Sequence, residues 1–159
     1  MYQKILVPLD GSELAESVLP HVELMAKAGV GEVILTTVTE RIDARSYNVQ
    51  IIPTSGALPA LEPVVKMPVA VGKMQRQGER YLGRIAKRLA KKGVNVRTSV
   101  LLGNPANEIQ SLADKEGVDL IIMSSHGRSG HSRWALGSIS DKMLRASQVP
   151  MLLVKPTDS

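Results

Sequence analysis

Residues 118–138, VDLIIMSSHGRSGHSRWALGS, carry the strongest structural signal in this chain. The apolar run Leu120–Met123 leads into a segment built almost entirely from serine, glycine, histidine and arginine. A short apolar run that is bounded by turn residues is typical of a buried strand in a parallel sheet. Three glycines, Gly127, Gly130 and Gly137, then precede Ser138, where the spacing predicts that a helix begins.

A strand that ends in a glycine-bearing loop and continues into a helix favours the binding of anions. Backbone N–H groups point outward at such a place, glycine allows a ligand to approach closely, and the helix dipole favours negative charge. The pattern therefore predicts a phosphorylated small molecule as the ligand.

Strand and helix signals alternate along the rest of the chain. Strands are predicted over Lys4–Leu9, Val33–Val38, Val94–Leu102, Val118–Met123 and Pro150–Val154. Helices are predicted between the first two strands, over Gln75–Lys92, from Asn104 to near Gly117, and over Ser138–Ala146. Because strands alternate with helices and hairpin turns are lacking, we predict a single α/β domain with a parallel sheet and helices on both faces.

Two details of this organisation are specific enough to be tested. Pro20 lies inside the first helical stripe, so we predict that it bends that helix or removes one backbone hydrogen bond. Asn104 and Pro105 are suitable as the N-cap and first residue of the third helix. In a doubly wound sheet, ligands bind beyond the carboxyl ends of the strands, which here brings the exits of the first and fourth strands together.

The segment from about residue 40 to 72 does not fit the alternation. It contains four prolines and shows no steady period, so we predict an irregular insertion. Long connections of this kind inside a compact domain are usually functional or disordered. We expect this insertion to contribute to partner specificity more than to stability.

Composition excludes several classes of protein. No apolar run approaches 18 residues, so no membrane-spanning helix is predicted. The chain has no cysteine and three scattered histidines, so neither disulfides nor a metal site are predicted. The start of the chain, MYQKILVPLDGS, is typical of a strand and a turn and not of a signal peptide, which favours the cytoplasm.

The chain is basic, with 20 lysines and arginines against 15 aspartates and glutamates and a net charge of +5. Part of the excess lies near the end of the second long helix, at Lys87, Arg88, Lys91 and Lys92. Cations near a helix C-terminus are favourable, so we interpret this group as a solvated face. Nucleic-acid binding is not predicted, because phenylalanine is absent, aromatic residues are few and no reader motif occurs.

Common phosphate-binding and hydrolase motifs are also absent. The chain has no GxxxxGK[ST] loop, and no GxGxxG follows a strand. A nucleophile elbow needs the pattern G-x-S-x-G, whereas Gly130 here directly follows Ser129. P-loop nucleoside triphosphatases, proteins with the dinucleotide-binding fingerprint and serine hydrolases are therefore not favoured.

The chain resembles the universal stress protein family over nearly its whole length. The resemblance rests on ILVPLDGS at the first strand, on PMLLVKP at the last strand and on the block after the fourth strand. That block reads G-x2-G-x9-G-[ST] in nucleotide-binding members, whereas this chain has Ser124-x2-Gly127-x9-Gly137-Ser138. Three of the four motif positions fit, and serine replaces the first glycine.

The resemblance implies a doubly wound sheet of five strands in the order 3-2-1-4-5 and an adenosine nucleotide as ligand. ATP is the expected cofactor, with AMP or ADP as alternatives and Mg²⁺ as an optional companion of ATP. Pro8, Leu9 and Asp10 are implied to line the adenosine site, with Asp10 reaching adenine or ribose. Further implied contacts to the base and ribose are Val38, Gly103, Met123 and Ser124.

The phosphates are implied to lie among residues of the glycine-bearing loop and the following helix, namely Gly127, Arg128, Gly130, Gly137, Ser138 and Ile139. Some candidates have a structural alternative. Asp10 could serve only to organise the turn before the first helix, and Ser138 could be an N-cap with Asp141 as its capping-box partner. We interpret His126 as a structural hydrogen-bonding residue.

We predict an ATP-binding regulatory module for the stress response, with slow hydrolysis or none, because the sequence places no general base or acidic pair beside the phosphates. Two alternatives remain open at this stage, a weak ATPase and a nucleotide-free dimeric interaction protein. A homodimer is expected through the last strand, Met151–Val154, because an aliphatic edge strand can pair with its own copy.

Overall fold

The computed structural model describes residues 1–39, 69–126 and 136–156. Its strands are β1 (Lys4–Pro8), β2 (Glu32–Thr39), β3 (Val96–Leu102), β4 (Leu120–Ser124) and β5 (Met151–Val154). Its helices are α1 (Glu13–Glu16), α2 (Leu19–Lys27), α3 (Val69–Ala90), α4 (Pro105–Glu116) and α5 (Ser138–Ala146). The predicted alternation of strands and helices is therefore confirmed.

The five strands form one parallel sheet in the order β3-β2-β1-β4-β5. This is the predicted order, with the reversal of direction at the β1–β4 pair. The central strand β1 pairs with β2 over its whole length, from Lys4 opposite Glu32 to Pro8 opposite Thr36. The first and last strands of the order, β3 and β5, each pair with one strand among the described residues.

The core consists of two clusters, one on each face of the sheet. Side chains alternate between the faces along a strand, so that Ile5 and Val7 of β1 point to one face and Leu6 to the other. The first face is covered by α1, α2 and α3, through residues such as Leu82. The second face is covered by α4 and α5, through residues such as Met143. The predicted placement of helices on both faces is confirmed.

The helical segment after β1 differs from the prediction of one bent helix. It forms two helices, and Pro20 lies in the first turn of α2, where the N–H that proline lacks has no intrahelical partner. The two helices are separated by tighter turns, in which Ser17 N donates to Leu14 O and Val18 N donates to Ala15 O. Pro20 therefore starts a helix and does not interrupt one.

The long helix α3 begins at Val69, six residues before the predicted start at Gln75. Residues 69–72 are therefore helical and not part of an irregular insertion. Residues 40–68 of the predicted insertion lie outside the described residues. Within the ranges that the structure describes, no helix is both long enough and apolar enough to cross a membrane.

Candidate functional site

A cavity of about 700 Å³ lies at the carboxyl edge of the sheet, where β1, β2 and β4 end. Side chains of α3 wall it from one face of the sheet, and residues of α4 and α5 wall it from the other. The predicted site residues that line this cavity are Pro8, Leu9, Asp10, Val38, Met123, Ser124, Gly137, Ser138 and Ile139. Residues from four separate parts of the sequence are thus brought together at the predicted edge.

The cavity opens where β1 and β4 stop pairing. These two strands are in register only at Ile5–Leu120 and Leu6–Ile121, although both continue further. Pro8, the last residue of β1, has no N–H to donate to a neighbouring strand. On the other side β1 stays attached to β2, since Leu9 N donates to Thr36 O at 2.8 Å. A crevice between β1 and β4 is where ligands bind in doubly wound sheets.

The turn after β1 is organised by Asp10. Its Oδ1 accepts hydrogen bonds from the backbone N of Ser12 at 2.9 Å and from Ser12 Oγ at 2.5 Å. Ser12 Oγ in turn accepts from Ala15 N at 3.1 Å, which caps α1. Gly11 has φ of +85°, a left-handed conformation that glycine adopts without strain. Asp10 therefore has the structural role considered above and also lines the cavity.

The end of β2 forms a second side of the cavity, with Val38 half-buried in it. Two threonines tie this end to β3. Thr36 Oγ1 donates to Ser99 O at 2.9 Å, and Thr39 Oγ1 donates to Leu101 O at 3.0 Å. The wall around Val38 is held in place by side-chain bonds in addition to the strand ladder.

Helix α3 contributes a wall that sequence reasoning missed, formed by Met74, Gln77, Gly78 and Tyr81. The absence of a side chain at Gly78 allows the helix to approach the sheet. A Cβ atom there would lie 3.0 Å from Thr37 Cγ2 and 3.2 Å from Val100 Cγ1. The 3–4 residue spacing of these positions is a helical stripe that the sequence could have shown.

Tyr81 is the polar group of the α3 wall. Its hydroxyl is shielded from solvent and has no hydrogen-bond partner among the described residues. Burial first, and then the nearby charge of Glu16, raise the pKa of Tyr81 above its ordinary value. Glu16 is close enough to act through its charge, although the two groups do not meet in hydrogen-bond geometry. The cavity therefore has a neutral phenol in its wall.

Ser124 replaces a motif glycine without backbone strain. Among the described residues no position other than glycine has a positive φ, so Ser124 keeps an ordinary extended backbone at the end of β4. Its side chain is buried, and its Oγ accepts from His126 N at 3.3 Å. Its carbonyl oxygen accepts from Ser140 Oγ at 2.9 Å, which joins β4 to α5. Serine is compatible with this position and adds a hydrogen bond.

His126 lines the cavity beside Ser124. Its Nδ1 lies 2.9 Å from Ser125 Oγ, which is the kind of structural hydrogen bond that we predicted for this residue. Its position in the wall was not predicted. Its neighbour Ser125 also accepts, through its carbonyl oxygen, a bond from Gly137 N at 2.8 Å that positions the start of α5.

The start of α5 differs from the capping box that was considered. The N-cap residue is Gly137 and not Ser138, and within the described chain no side chain caps this helix. Asp141 does not bond back toward Ser138, since its carboxylate pairs with Arg145 Nε at 3.1 Å. The first N–H groups of a helix have no partner within the helix and carry its positive dipole end. Gly137, Ser138 and Ile139 present this end at the cavity.

The start of α4 explains Gly103, which is not among the residues that line the cavity. Gly103 has φ of +145°, and a Cβ atom there would lie 2.8 Å from Glu108 Oε1. The turn into α4 therefore requires glycine at position 103. The predicted phosphate contacts Gly127, Arg128 and Gly130 lie outside the described residues and remain predictions.

The cavity suits a small phosphorylated ligand with an apolar part. Its volume lies in the range that small-molecule sites occupy, about 300–1,000 Å³. Val38, Ile109 and Met123 provide apolar surface, whereas the α5 start provides N–H donors. No three histidine, aspartate or glutamate side chains within the described ranges converge in a way that could hold a metal ion.

Comparison with known proteins agrees with this architecture. The model of the universal stress protein family matches residues 1–155. Universal stress protein MJ0577 of Methanocaldococcus jannaschii is 32% identical over 161 residues, covering 100% of this chain and 98% of the relative. Universal stress protein YxiE of Bacillus subtilis is 29% identical, covering 98% of this chain and 100% of the relative.

Solved structures give the same result. The structure of MJ0577 matches with a TM-score of 0.80 at 32% identity, covering 100% of this chain and 99% of that one. A universal stress protein solved in complex with cAMP has the same fold, with a TM-score of 0.60 at 18% identity and 98% of both chains covered. The match of the family model to almost every residue, together with these relatives, shows that the chain belongs to the universal stress protein family.

Proposed function

We propose that this universal stress protein binds an adenine nucleotide, ATP in the first place, in the cavity described above and acts as a regulatory module with slow hydrolysis or none. The observation that carries the proposal is the start of α5, which has no side-chain cap within the described chain and lies at the cavity. Phosphate groups are the natural acceptors for such a helix start.

The expected binding free energy corresponds to a dissociation constant in the micromolar range. Each hydrogen bond from N–H to a charged phosphate contributes about 1.5 kcal/mol or more. Three or four such bonds, together with the burial of a base, reach about −8 kcal/mol, which corresponds to a dissociation constant near 1 μM. Ser138 and Ile139 are described residues that offer backbone N–H groups for this interaction, because the N–H of Gly137 already donates to Ser125 O at 2.8 Å.

An adenine base is favoured by the apolar part of the cavity. Val38 and Met123 lie in the wall at the ends of β2 and β4, and Asp10 lies in the turn after β1. In this proposal the base packs against the two apolar side chains, and Asp10 accepts from a polar group of adenine or ribose. The cAMP complex of a universal stress protein with the same fold supports an adenine nucleotide as the ligand class.

The proposal is tested by titration calorimetry with ATP and Mg²⁺ on the wild type and on Gly137→Val. Gly137 has φ of −58° and ψ of 148°, which valine adopts without strain. The added side chain stands at the helix start, so we expect affinity to fall at least tenfold, or about 1.4 kcal/mol. Gly83→Val is the matched control, because a side chain at Gly83 meets nothing within 4 Å and Gly83 does not line the cavity.

Unchanged ATP affinity in folded Gly137→Val protein would place the nucleotide elsewhere. The weak ATPase and the nucleotide-free interaction protein are separated from the proposal by two further measurements. Phosphate release with Mg²⁺·ATP measures hydrolysis, and the mass of the purified protein under native and denaturing conditions detects nucleotide that purifies with it. Steady turnover indicates an ATPase, whereas the absence of any saturable nucleotide binding indicates an interaction protein.

We also propose a homodimer through β5, Met151–Val154. This strand lies at the end of the sheet order with β4 as its neighbour, and Met151, Leu152 and Leu153 are half-buried. Val154 belongs to the core, so charging it would report on folding and not on assembly. Light scattering of the wild type at tens of micromolar is the appropriate test. We expect twice the chain mass of 17.2 kDa, and a monomer would contradict the dimer.

A further inference from the structure

The positive charge of the chain is concentrated on one helix. Residues 69–92, which comprise α3 and the turn after it, contain eight lysines and arginines and one glutamate, a net charge of +7. The whole chain has a net charge of +5, so all other residues together carry −2. The basic character of the protein is therefore a local property of α3.

Six of these cations form a single row, which we call the basic stripe: Lys73, Arg76, Arg80, Arg84, Lys87 and Lys91. Successive members are three or four residues apart, which places them on one side of a helix over about 27 Å. All six side chains are exposed. Lys91 continues the helical pattern beyond α3, since its N donates to Lys87 O at 3.2 Å.

The basic stripe is not neutralised within the part of the chain that the structure describes. No carboxylate there forms an ion pair with any of its six members. The two neighbouring cations outside the stripe do have partners, since Arg88 lies 3.7 Å from Glu16 and Lys92 lies 2.6 Å from Glu23. Like charges three or four residues apart oppose helix formation. Two contacts of the stripe itself, Arg84 over the Tyr81 ring at 6.0 Å and Arg80 Nε donating to Arg76 O at 3.4 Å, leave its charge without an anionic partner among the described residues.

A glycine in the middle of the stripe adds a second observation. Gly83 lines an open groove, whose other lining residues are Arg76, Glu79, Arg80, Arg84 and Lys87. A Cβ atom at Gly83 would meet nothing within 4 Å, in contrast to Gly78, where it would press on the sheet. Glycine disfavours a helix interior, and at Gly83 no packing within the described chain requires it. Its absence of a side chain leaves the groove open to a ligand.

We propose that the basic stripe is a docking surface for an extended acidic segment of a partner protein. Arginine presents a planar fork that pairs with carboxylates through two hydrogen bonds, and Arg76, Arg80 and Arg84 occupy the centre of the stripe. Alternate side chains of an extended peptide are about 6.6 Å apart. Cations four residues apart on a helix are separated by about 6 Å, so the two spacings are similar.

A nucleic acid fits this surface less well. Binding of single strands relies on aromatic side chains on which bases stack, and the stripe and its groove contain none. The ring of Tyr81, which is the aromatic residue of α3, lines the cavity, and Arg84 lies over it with Cζ 6.0 Å from the ring centroid. The lack of an aromatic platform in the groove therefore favours an acidic peptide over the bases of a single strand.

The test uses the full-length chain and a fluorescent peptide of ten glutamates, with binding followed by anisotropy at low salt. Arg80→Glu combined with Arg84→Glu should weaken binding at least tenfold. The matched control combines Lys27→Glu with Lys115→Glu, which makes the same change of net charge at exposed cations away from the stripe. We expect the control to weaken binding no more than threefold, and added salt to weaken binding of the wild type.

Arg80→Gln combined with Arg84→Gln provides a variant that keeps the polar surface, and it should give an intermediate loss. Circular dichroism should show that all variants are folded, because the replaced side chains are exposed. Equal losses in the stripe variant and in its control would overturn the proposal, since binding would then depend on net charge alone. Tighter binding of a single-stranded oligonucleotide or of polyphosphate than of the peptide would also overturn it.

Discussion

Two helices begin at the same edge of the sheet and on the same face, yet their first turns are built differently. Helix α4 follows β3 and has Asn104 as its N-cap, whose Oδ1 accepts from Asn107 N at 3.3 Å. Helix α5 follows β4 and starts at Gly137 without a side-chain cap in the described chain. The two helix starts have similar positions in the fold, so the difference in capping comes from the N-cap residue, which is asparagine in α4 and glycine in α5.

In the proposed function, this contrast reserves one of the two helix starts for a ligand. The first N–H groups of every helix need acceptors. Asn104 meets part of that need at α4, whereas at α5 no side chain of the described residues does so, and the proposal assigns this role to phosphate. The wall of the cavity includes Pro105 of α4 as well as Ser138 of α5, and the proposal places the phosphate at the start of α5.

The largest expected effect is on nucleotide affinity when a negative charge is placed at the α5 start. Ser138→Asp should lower ATP affinity tenfold or more, about 1.4 kcal/mol, because the new carboxylate repels phosphate. The same charge should stabilise the free protein by about 0.3–1 kcal/mol through the helix dipole. Calorimetric titration and urea unfolding measure the two quantities separately.

Asn107→Asp is the control for this prediction. It places the same charge in the first turn of α4, at an exposed residue that does not line the cavity. We expect stability to change in the same direction and ATP affinity to stay within about twofold, or 0.4 kcal/mol. If both variants lost ATP affinity equally, the proposed difference between the two helix starts would not exist.

The second largest effect is on the stability of the protein and concerns the start of α4. Asn104→Ala removes the α4 cap and should lower the free energy of unfolding by about 1 kcal/mol. ATP affinity should not change, because Asn104 does not line the cavity. Urea unfolding measures the loss, provided that the dependence of the unfolding free energy on urea concentration has the same slope in both proteins. A stability equal to that of the wild type would show that the cap is dispensable.

The smallest effect comes from giving α5 a cap of its own. Gly137→Ser places a hydroxyl at the N-cap position, where serine is a few tenths of a kcal/mol more favourable than glycine. Because that hydroxyl competes with phosphate for the same N–H groups, we expect ATP affinity to fall about threefold, or 0.6 kcal/mol. A rise in affinity on titration would indicate that phosphate does not use these groups.

The sheet could be predicted because its strands are continuous apolar runs, such as Leu120–Met123, that are bounded by turn residues. The helix limits were harder. The sequence alone does not distinguish a proline in the middle of a helix from one in its first turn. In the structure, Pro20 lies in the first turn of α2. Residues 69–72 carry no strong periodic pattern of their own, so α3 was predicted to begin too late.

The site was predictable where it follows strand ends and not where it depends on a distant helix. Asp10, Val38 and Ser124 each come after or within the end of an apolar strand, which is where a doubly wound fold binds ligands. Tyr81 lies in the middle of α3, and its spacing from Leu82 and Ile85 shows a buried face but not what that face covers. The N-cap at α5 depends on backbone conformation, which distinguishes Gly137 from Ser138 and is not encoded in a motif.

The central claim is that the start of α5 is the phosphate site. The most direct test is the ratio of the dissociation constants of adenosine and ATP, measured by calorimetry in the wild type and in Ser138→Asp. We predict that ATP binds the wild type at least about tenfold more tightly than adenosine, a difference of about 1.4 kcal/mol, and that the ratio approaches one in the variant. The same ratio in both proteins would contradict the claim.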